Sequence, residues 1–360
     1  MISAILRTGF VSPELVQPLN QNVVFIMMRI IGKIALGVFS ALCVALAGGA
    51  IYQFISTQID THSYPPPGQL VDVNGYKLHI HCTGIAGPTV VLEAGMGGNS
   101  FEWSLVQPEV AKFTRVCSYD RAGNGWSDES TYPRTSSQIV EELHTLLAQA
   151  NIPGPYILVG HSFGGINVRL YASRYPDEVA GLVLIDASHE DQFQKLPPFK
   201  QSLVEKLIFH RGLARFMAFI GAVRLLNSFS NEHEIFPGRI PTMYSKLQST
   251  PKFIGTIFEE RRLFPKSLDQ LKSTSTHLGN KPLIVISAGR SFTLEECEEQ
   301  GYSSDWLEQF DGAQKELQKD LTTKSFDSKQ IIAANSGHMI NRDEPKIIID
   351  AISEIVNKLK

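Results

Sequence analysis

A mostly parallel, doubly wound α/β sheet with an antiparallel N-terminal hairpin and an inserted helical cap is the fold this sequence predicts, and three observations predict it. Short apolar runs alternate with stretches whose apolar residues recur every three and four positions, the pattern of strands buried on both faces between helices. Asn74-Gly75 lies inside a stretch of alternating apolar and polar residues, LVDVNGYKLHIHC (70–82), which is a strong hairpin signal. The alternation then stops between Ser188 and Asn280, more than ninety residues separating two strands that should be neighbours. Such an interval is an insertion over the sheet.

Composition permits a large core: 360 residues, 43% hydrophobic and 19% charged. A net charge of −3 supplies no basic field, so no nucleic-acid partner is expected. The four cysteines, at 43, 82, 117 and 297, have neither CxxC spacing nor the density of a disulfide scaffold, and no metal or redox motif emerges.

After an N-terminal segment (1–33), Ile34 to Tyr52 carries no charge over 19 residues. As a helix it would span about 28 Å, near the hydrocarbon thickness of a bilayer. Residues 34–55 are therefore expected to be a transmembrane anchor or a signal segment. Arg29 and Lys33 precede it, so an anchor would leave the N-terminus cytoplasmic and the remaining chain extracytoplasmic. Ala45-Leu-Ala47 also resembles a signal-peptidase site, which with a start at Met27 or Met28 would give a secreted protein; a buried core helix is the third reading. A Pro-rich linker is expected over 56–69, around Tyr64-Pro-Pro-Pro-Gly68. The core is assigned to 70–187 and 281–360, and the cap to 188–280.

Strands are expected at Thr89–Leu92, Val116–Tyr119, Tyr156–Val159, Gly181–Ile185, Leu283–Ser287 and Gln330–Ala333, and helices at Ser137–Ala150 and Glu344–Lys358. In the cap, Leu203 to Phe229 is apolar and basic, with Arg211, Arg215 and Arg224 at helical spacing; it reads as cap helices over the site or as a membrane-surface helix.

Chemistry gathers at three strand ends. Tyr156-Ile-Leu-Val-Gly-His-Ser-Phe-Gly-Gly165 runs an apolar strand into a serine with a glycine two residues away on each side, the nucleophile-elbow pattern. Ser162 is the candidate nucleophile, and the N–H of Phe163 would face a developing oxyanion. A serine needs a base, and the base an orienting carboxylate. His338, in Ala334-Asn-Ser-Gly-His338 after the last strand, is the candidate base. For the acid, Asp186 ends the strand Gly181–Ile185; Glu295, Glu296 and Asp305 follow the next strand and could serve only by folding back. The loop Glu93-Ala-Gly-Met-Gly-Gly-Asn99 would supply a second oxyanion donor at Met96. Asp120 and Arg121 read as a buried pair that pins a loop. His79-Ile-His81-Cys82 has metal-like spacing, but a strand would put both histidines with Lys77 on one face, read as solvated, and Cys82 on the other.

These residues resemble the α/β-hydrolase fold, and within it the cap-bearing serine hydrolases that include lipases, esterases, non-haem haloperoxidases and proline iminopeptidases. The likeness covers roughly residues 70 to 360 and rests on Gly160-His-Ser-Phe-Gly164, Ser-Gly-His338, the Glu93–Gly98 loop and Tyr119-Asp-Arg-Ala-Gly-Asn-Gly-Trp-Ser127. It implies Ser162 as nucleophile, His338 as base and then acid, and the N–H groups of Met96 and Phe163 as oxyanion hole. Two departures stand out: Ala94-Gly95 replaces the His-Gly of many members, and no acid lies close behind the penultimate strand, which moves the acid to Asp186 as in some lipases. A serine at the elbow argues against the epoxide hydrolases and haloalkane dehalogenases of the fold, which use aspartate there.

The expectation is a serine hydrolase acting through an acyl-enzyme on a small-molecule ester, lipophilic in character, with no cofactor and no metal. The alternatives are the same triad acting on amide, thioester or carbon–carbon bonds, and a non-catalytic binder of the same fold. The sequence leaves the oligomeric state open.

Overall fold

The computed structural model describes residues 21–85, 87–199, 211–228, 240–275 and 277–360. Eight strands form one sheet in the order β1-β2-β4-β3-β5-β6-β7-β8: β1 (Gln69–Asp72), β2 (Lys77–Thr83), β3 (Thr89–Glu93), β4 (Val116–Tyr119), β5 (Tyr156–His161), β6 (Val179–Ile185), β7 (Leu283–Ala288) and β8 (Ser328–Ala333). The β1–β2 and β2–β4 pairings are antiparallel and all others parallel. Asn74 (φ 57°) and Gly75 (φ 97°) both take the left-handed backbone that a two-residue hairpin turn requires, and Val73 N–H donates to the Tyr76 carbonyl at 2.7 Å.

We label the long helices α1 (Gln21–Ser63), α2 (Ser136–Gln149), α3 (Phe163–Arg174), α4 (Pro251–Lys272), α5 (Ser304–Leu321) and α6 (Pro345–Lys358). Two apolar layers cover the sheet. One holds Ile139, Leu143 and Leu147 of α2 with Ile166 and Leu170 of α3 against Val91, Leu158 and Leu182. The other holds Ile348, Ile352 and Ile355 of α6 with Trp103 and Val110 against Leu92, Val159 and Val183. The helical spacing of these residues and the continuously apolar central strands are what the layered arrangement buries.

Between β6 and β7 the described chain contributes helices rather than strands, Arg211–Phe219, Ala222–Asn227, Ile240–Gln248 and α4 among them. Of the stretch Leu203 to Phe229, residues 203–210 and 229 lie outside the described residues, and the remainder breaks at Gly221 (φ 75°) into two short helices. Two of its arginines have separate partners: Arg215 meets Glu129 at 2.9 Å and Arg224 pairs with Asp60.

Two expectations are corrected here. The apolar segment lies in a helix that does not end at residue 55: α1 runs unbroken through Ser63, so positions 56–63, expected to be linker, are helical. Polar residues near its C-terminal end dock it. Gln53 and Asp60 are buried; the Gln53 side chain donates to the Ser249 carbonyl at 3.2 Å, and Asp60 binds Arg224 and, at 3.1 Å, Lys246. Second, Cys82 and Cys117 form a disulfide. They are 35 residues apart in sequence but directly opposed in the β2–β4 ladder, with Cα atoms 4.0 Å apart.

Candidate active site

Ser162 sits between β5 and α3 in strained backbone, φ 52° and ψ −119°, a region that costs a non-glycine residue about 1–3 kcal/mol. Its neighbours over-determine that conformation. Ser162 N–H donates to the Ile185 carbonyl at 3.0 Å, while its own carbonyl accepts from Gly165 N–H at 2.9 Å and Ser188 N–H at 3.0 Å. Gly164 makes the crossing possible, because a Cβ there would meet the Glu93 carbonyl oxygen at 2.4 Å. The serine side is held between the β6 end and the β3 end.

Asp186 follows β6 directly with φ 36°, and its N–H donates to the Ile286 carbonyl of β7 at 2.7 Å. His338 lies in the loop after β8. The fold brings these two together, with His338 Nδ1 at 2.6 Å from Asp186 Oδ2. The other carboxylate oxygen, Oδ1, accepts from Ala288 N–H and from Gln314 Nε2 of α5, each at 3.4 Å. Burial works to raise the Asp186 pKa, but the His338 hydrogen bond and charge and the Ala288 N–H outweigh it and hold the carboxyl below its ordinary value. Desolvation works to lower the His338 pKa; the Asp186 hydrogen bond and charge more than offset it, so the imidazole titrates above its usual range. The ring keeps 48% of its side-chain surface exposed and Ser162 is half-buried.

The later acids are employed elsewhere. Glu296 closes a capping box with Thr293 at the start of the Leu294–Glu299 helix, Glu295 is exposed in that first turn, and Asp305 is exposed in the first turn of α5.

The Glu93–Gly98 loop lies against the elbow, a Cβ on Gly95 falling 3.4 Å from Ser162 Cβ. Arg121, fully buried, holds it: Nη1 donates to the Ala94 carbonyl at 2.8 Å and Nη2 to the Gly95 carbonyl at 2.6 Å. The guanidinium also meets Glu93 and Glu260, each at 2.9 Å. Gly95 N–H donates to Glu102 Oε2 and Gly97 N–H to Glu260 Oε2, both at 3.3 Å, leaving Met96 between two fixed peptides. Desolvation lowers the Arg121 pKa, but Glu260 and Glu93 reverse that and drive it above its ordinary value. Burial raises the Glu93 pKa against the pull of Arg121, Tyr119 and Asn167.

The supposed Asp120–Arg121 pair is not one. Arg121 turns to the two glutamates, whereas Asp120 binds His79 Nδ1 at 2.9 Å and accepts from Ser100 and Trp126 N–H at 2.8 and 3.0 Å. The face of β2 expected to be solvated is so only in part: Lys77 is exposed and His81 half-buried, but His79 is fully buried under the 120–127 turn beside the Trp126 ring.

Several partners carried no sequence signal. His161, preceding the candidate nucleophile, donates Nε2–H to the His338 carbonyl at 3.0 Å, and its ring lies 4.7 Å from that of His338. Its Nδ1 stands 3.6 Å from Glu102 Oε2. Gln314 and Glu260 reach the site from helices far along the chain, and only the folded arrangement places them there.

Comparison with known proteins bears on the fold. The chain is 29% identical over 287 residues to the uncharacterized protein YqjL of Bacillus subtilis (strain 168), covering 79% of this chain and 89% of that protein. Its structure resembles the Cif epoxide hydrolase from Acinetobacter nosocomialis (TM-score 0.63, 16% identity, 84% of this chain and 96% of that one). It likewise resembles a thermophilic esterase from Thermogutta terrifontis (TM-score 0.54, 20% identity, 81% and 97%). With a sequence profile for the alpha/beta hydrolase fold matching residues 88–345, this chain belongs to the alpha/beta hydrolase fold family.

Proposed function

We propose that the protein is a serine hydrolase that cleaves carboxylic esters or related acyl bonds of lipophilic small molecules. The observation that carries this reading is the 2.6 Å contact of His338 Nδ1 with Asp186 Oδ2, formed at the same sheet edge as the strained Ser162 turn. A buried carboxylate on Nδ1 leaves Nε2 as the basic nitrogen. Ser162 Oγ attacks the acyl carbon as His338 Nε2 takes its proton, and the N–H groups of Met96 and Phe163 receive the oxyanion. His338 passes that proton to the departing alcohol, and the acyl group stays on Ser162. Water then attacks the acyl-enzyme, giving its proton to His338, which returns it to Ser162 Oγ as the free acid leaves.

The epoxide hydrolase likeness is one of fold at 16% identity. The elbow residue here is serine, which supports acyl transfer over epoxide opening. α1 supports a membrane-anchored enzyme: among the described residues it is one helix long and apolar enough to cross a bilayer, with Arg29 and Lys33 ahead of its uncharged run. The Cys82–Cys117 disulfide fits an extracytoplasmic catalytic domain, since such bonds persist in oxidising compartments.

Fluorophosphonate labelling and hydrolysis of p-nitrophenyl esters test the reading. The parent protein should label and hydrolyse, with rates rising from acetate to octanoate, and Ser162→Ala should do neither. Equal labelling of Ser162→Ala would refute it.

A further inference from the structure

The junction of α1 with the cap places a set of apolar side chains at a defined height along the helix. Gly49 packs on the Ile220 carbonyl, where a Cβ would come within 2.5 Å, and Gly221 packs on the Tyr52 ring. Gly49 is three residues short of Tyr52, where the apolar run gives way to the polar Gln53, so this contact lies about 5 Å inside that end at 1.5 Å per residue. On the two cap helices that flank the contact, Leu213, Phe216, Phe219, Leu225 and Leu226 are all exposed, between 44% and 64%.

Further out along α1 polar groups enter on the side that meets the cap, while Phe54, Ile55 and Ile59 stay exposed. Ser56 and Asp60 join Arg224, Ser245 and Lys246, with Tyr52 and Ile59 beside them, around a cavity of about 340 Å³. The cap's exposed apolar side chains therefore sit level with the end of the span, and the cavity-lining polar groups of α1, Ser56 and Asp60, lie one to two turns beyond it, the order of acyl chains and headgroups in a leaflet. The buried Arg224–Asp60 pair and the Gln53 bonds to Arg224 and Ser249 fix the cap to the helix, so the two surfaces keep this relative height.

We infer that the cap helices Arg211–Phe219 and Ala222–Asn227 bed their exposed apolar face into the outer boundary of the bilayer that α1 crosses. The inference rests on the anchored reading of α1 given above. Its consequence is a substrate class. The cap's inner side lies on the oxyanion loop, Ile257 and Phe253 of α4 standing over Gly97. The candidate site is then roofed by an element seated in the leaflet, and it would draw acyl lipids and esters dissolved in the membrane.

The test is quenching of single added tryptophans by phosphatidylcholine brominated on its acyl chains, with the full chain reconstituted in nanodiscs. The variants are Phe39→Trp in α1, Phe219→Trp and Leu226→Trp in the cap, and Ile332→Trp on β8 as reference. All four positions are exposed, so none strains the core. The emission added at 39, 219 and 226 should be lost to brominated lipid, and that added at 332 retained. Loss at 39 with retention at 219 and 226 would overturn the cap docking and leave the anchor standing. Retention at 39 would overturn the anchor and the docking together, and loss at 332 equal to that at 219 would show no cap-specific immersion and overturn the docking.

Discussion

His338 Nδ1 and Asp186 Oδ2 stand 2.6 Å apart although 152 residues separate them in the chain. Replacing the carboxylate with its amide keeps the shape but presents an N–H or a neutral oxygen to the imidazole, favouring the wrong tautomer. Asp186→Asn is expected to lower kcat by about 10⁴-fold, the scale known for this change in serine hydrolases. Steady-state kinetics on p-nitrophenyl butyrate would check it, and a loss below tenfold would remove Asp186 from the mechanism.

The same pair sets a pH dependence. His338 titrates above the ordinary imidazole value, so the acid limb of kcat/KM should lie above about 6.5 in the parent and move down in Asp186→Asn. Stability follows the pair as well. The raised His338 contributes stability that is lost as pH rises through its folded pKa, and the depressed Asp186 contributes stability lost as pH falls through its own. Both are fully present between about pH 4 and 6.5, the unfolded values. A parent profile with its limb at or below 6.5 would contradict the assignment.

Arg121 joins two buried glutamates to two carbonyls of the oxyanion loop. Arg121→Met leaves Glu93 and Glu260 uncompensated, and breaking a buried ion pair in this way costs about 3–5 kcal/mol. Chemical denaturation would measure that loss. Glu260→Gln is the milder probe: misplacing the Gly97–Met96 peptides should cut kcat by about tenfold to a hundredfold with KM little changed. Unchanged kcat in Glu260→Gln would mean that the loop holds its shape without α4.

Gly164→Ala and Gly312→Ala make a matched pair. The first puts a Cβ 2.4 Å from the Glu93 carbonyl oxygen, whereas the second, in α5, meets nothing within 4 Å. Overpacking should cost Gly164→Ala about 1–3 kcal/mol and most of the activity, while Gly312→Ala should stabilise by about 0.5–1 kcal/mol through helix propensity. Melting temperatures of opposite sign of shift would support this account; equal shifts would not.

Removing the β2–β4 cross-link with Cys82→Ala/Cys117→Ala should cost about 3–4 kcal/mol, the loop-closure value for some 35 residues. Denaturation of the parent with and without reductant gives the same comparison.

Much of this architecture could be read before folding because it depends on local pattern. The apolar runs of β3 to β6 admit little but buried strands, Asn74-Gly75 sets the hairpin, and glycines around Ser162 mark a turn that other residues cannot make. Asp186 was reachable for a similar reason, as the carboxylate at a strand end where the later loop offered none close by. What escaped depends on pairing at a distance. Cys82 and Cys117 become neighbours only because β4 inserts beside β2, ahead of β3 in the sheet. Arg121 could not be assigned to Glu260 across 139 residues, and its sequence neighbour Asp120 looked the natural partner. Asp60 read as linker and Gln53 as part of the anchor or signal segment, since a polar residue in a helix shows no sign of its docking partner until the cap is in place.

The Ser162 carbonyl accepts from Gly165 on the nucleophile's own side and from Ser188 in the loop after β6 that carries Asp186. One peptide group therefore serves as the common datum from which two of the three candidate catalytic side chains are surveyed. The spacing between those two positions is thereby referenced to one oxygen of the core rather than to any group of the cap.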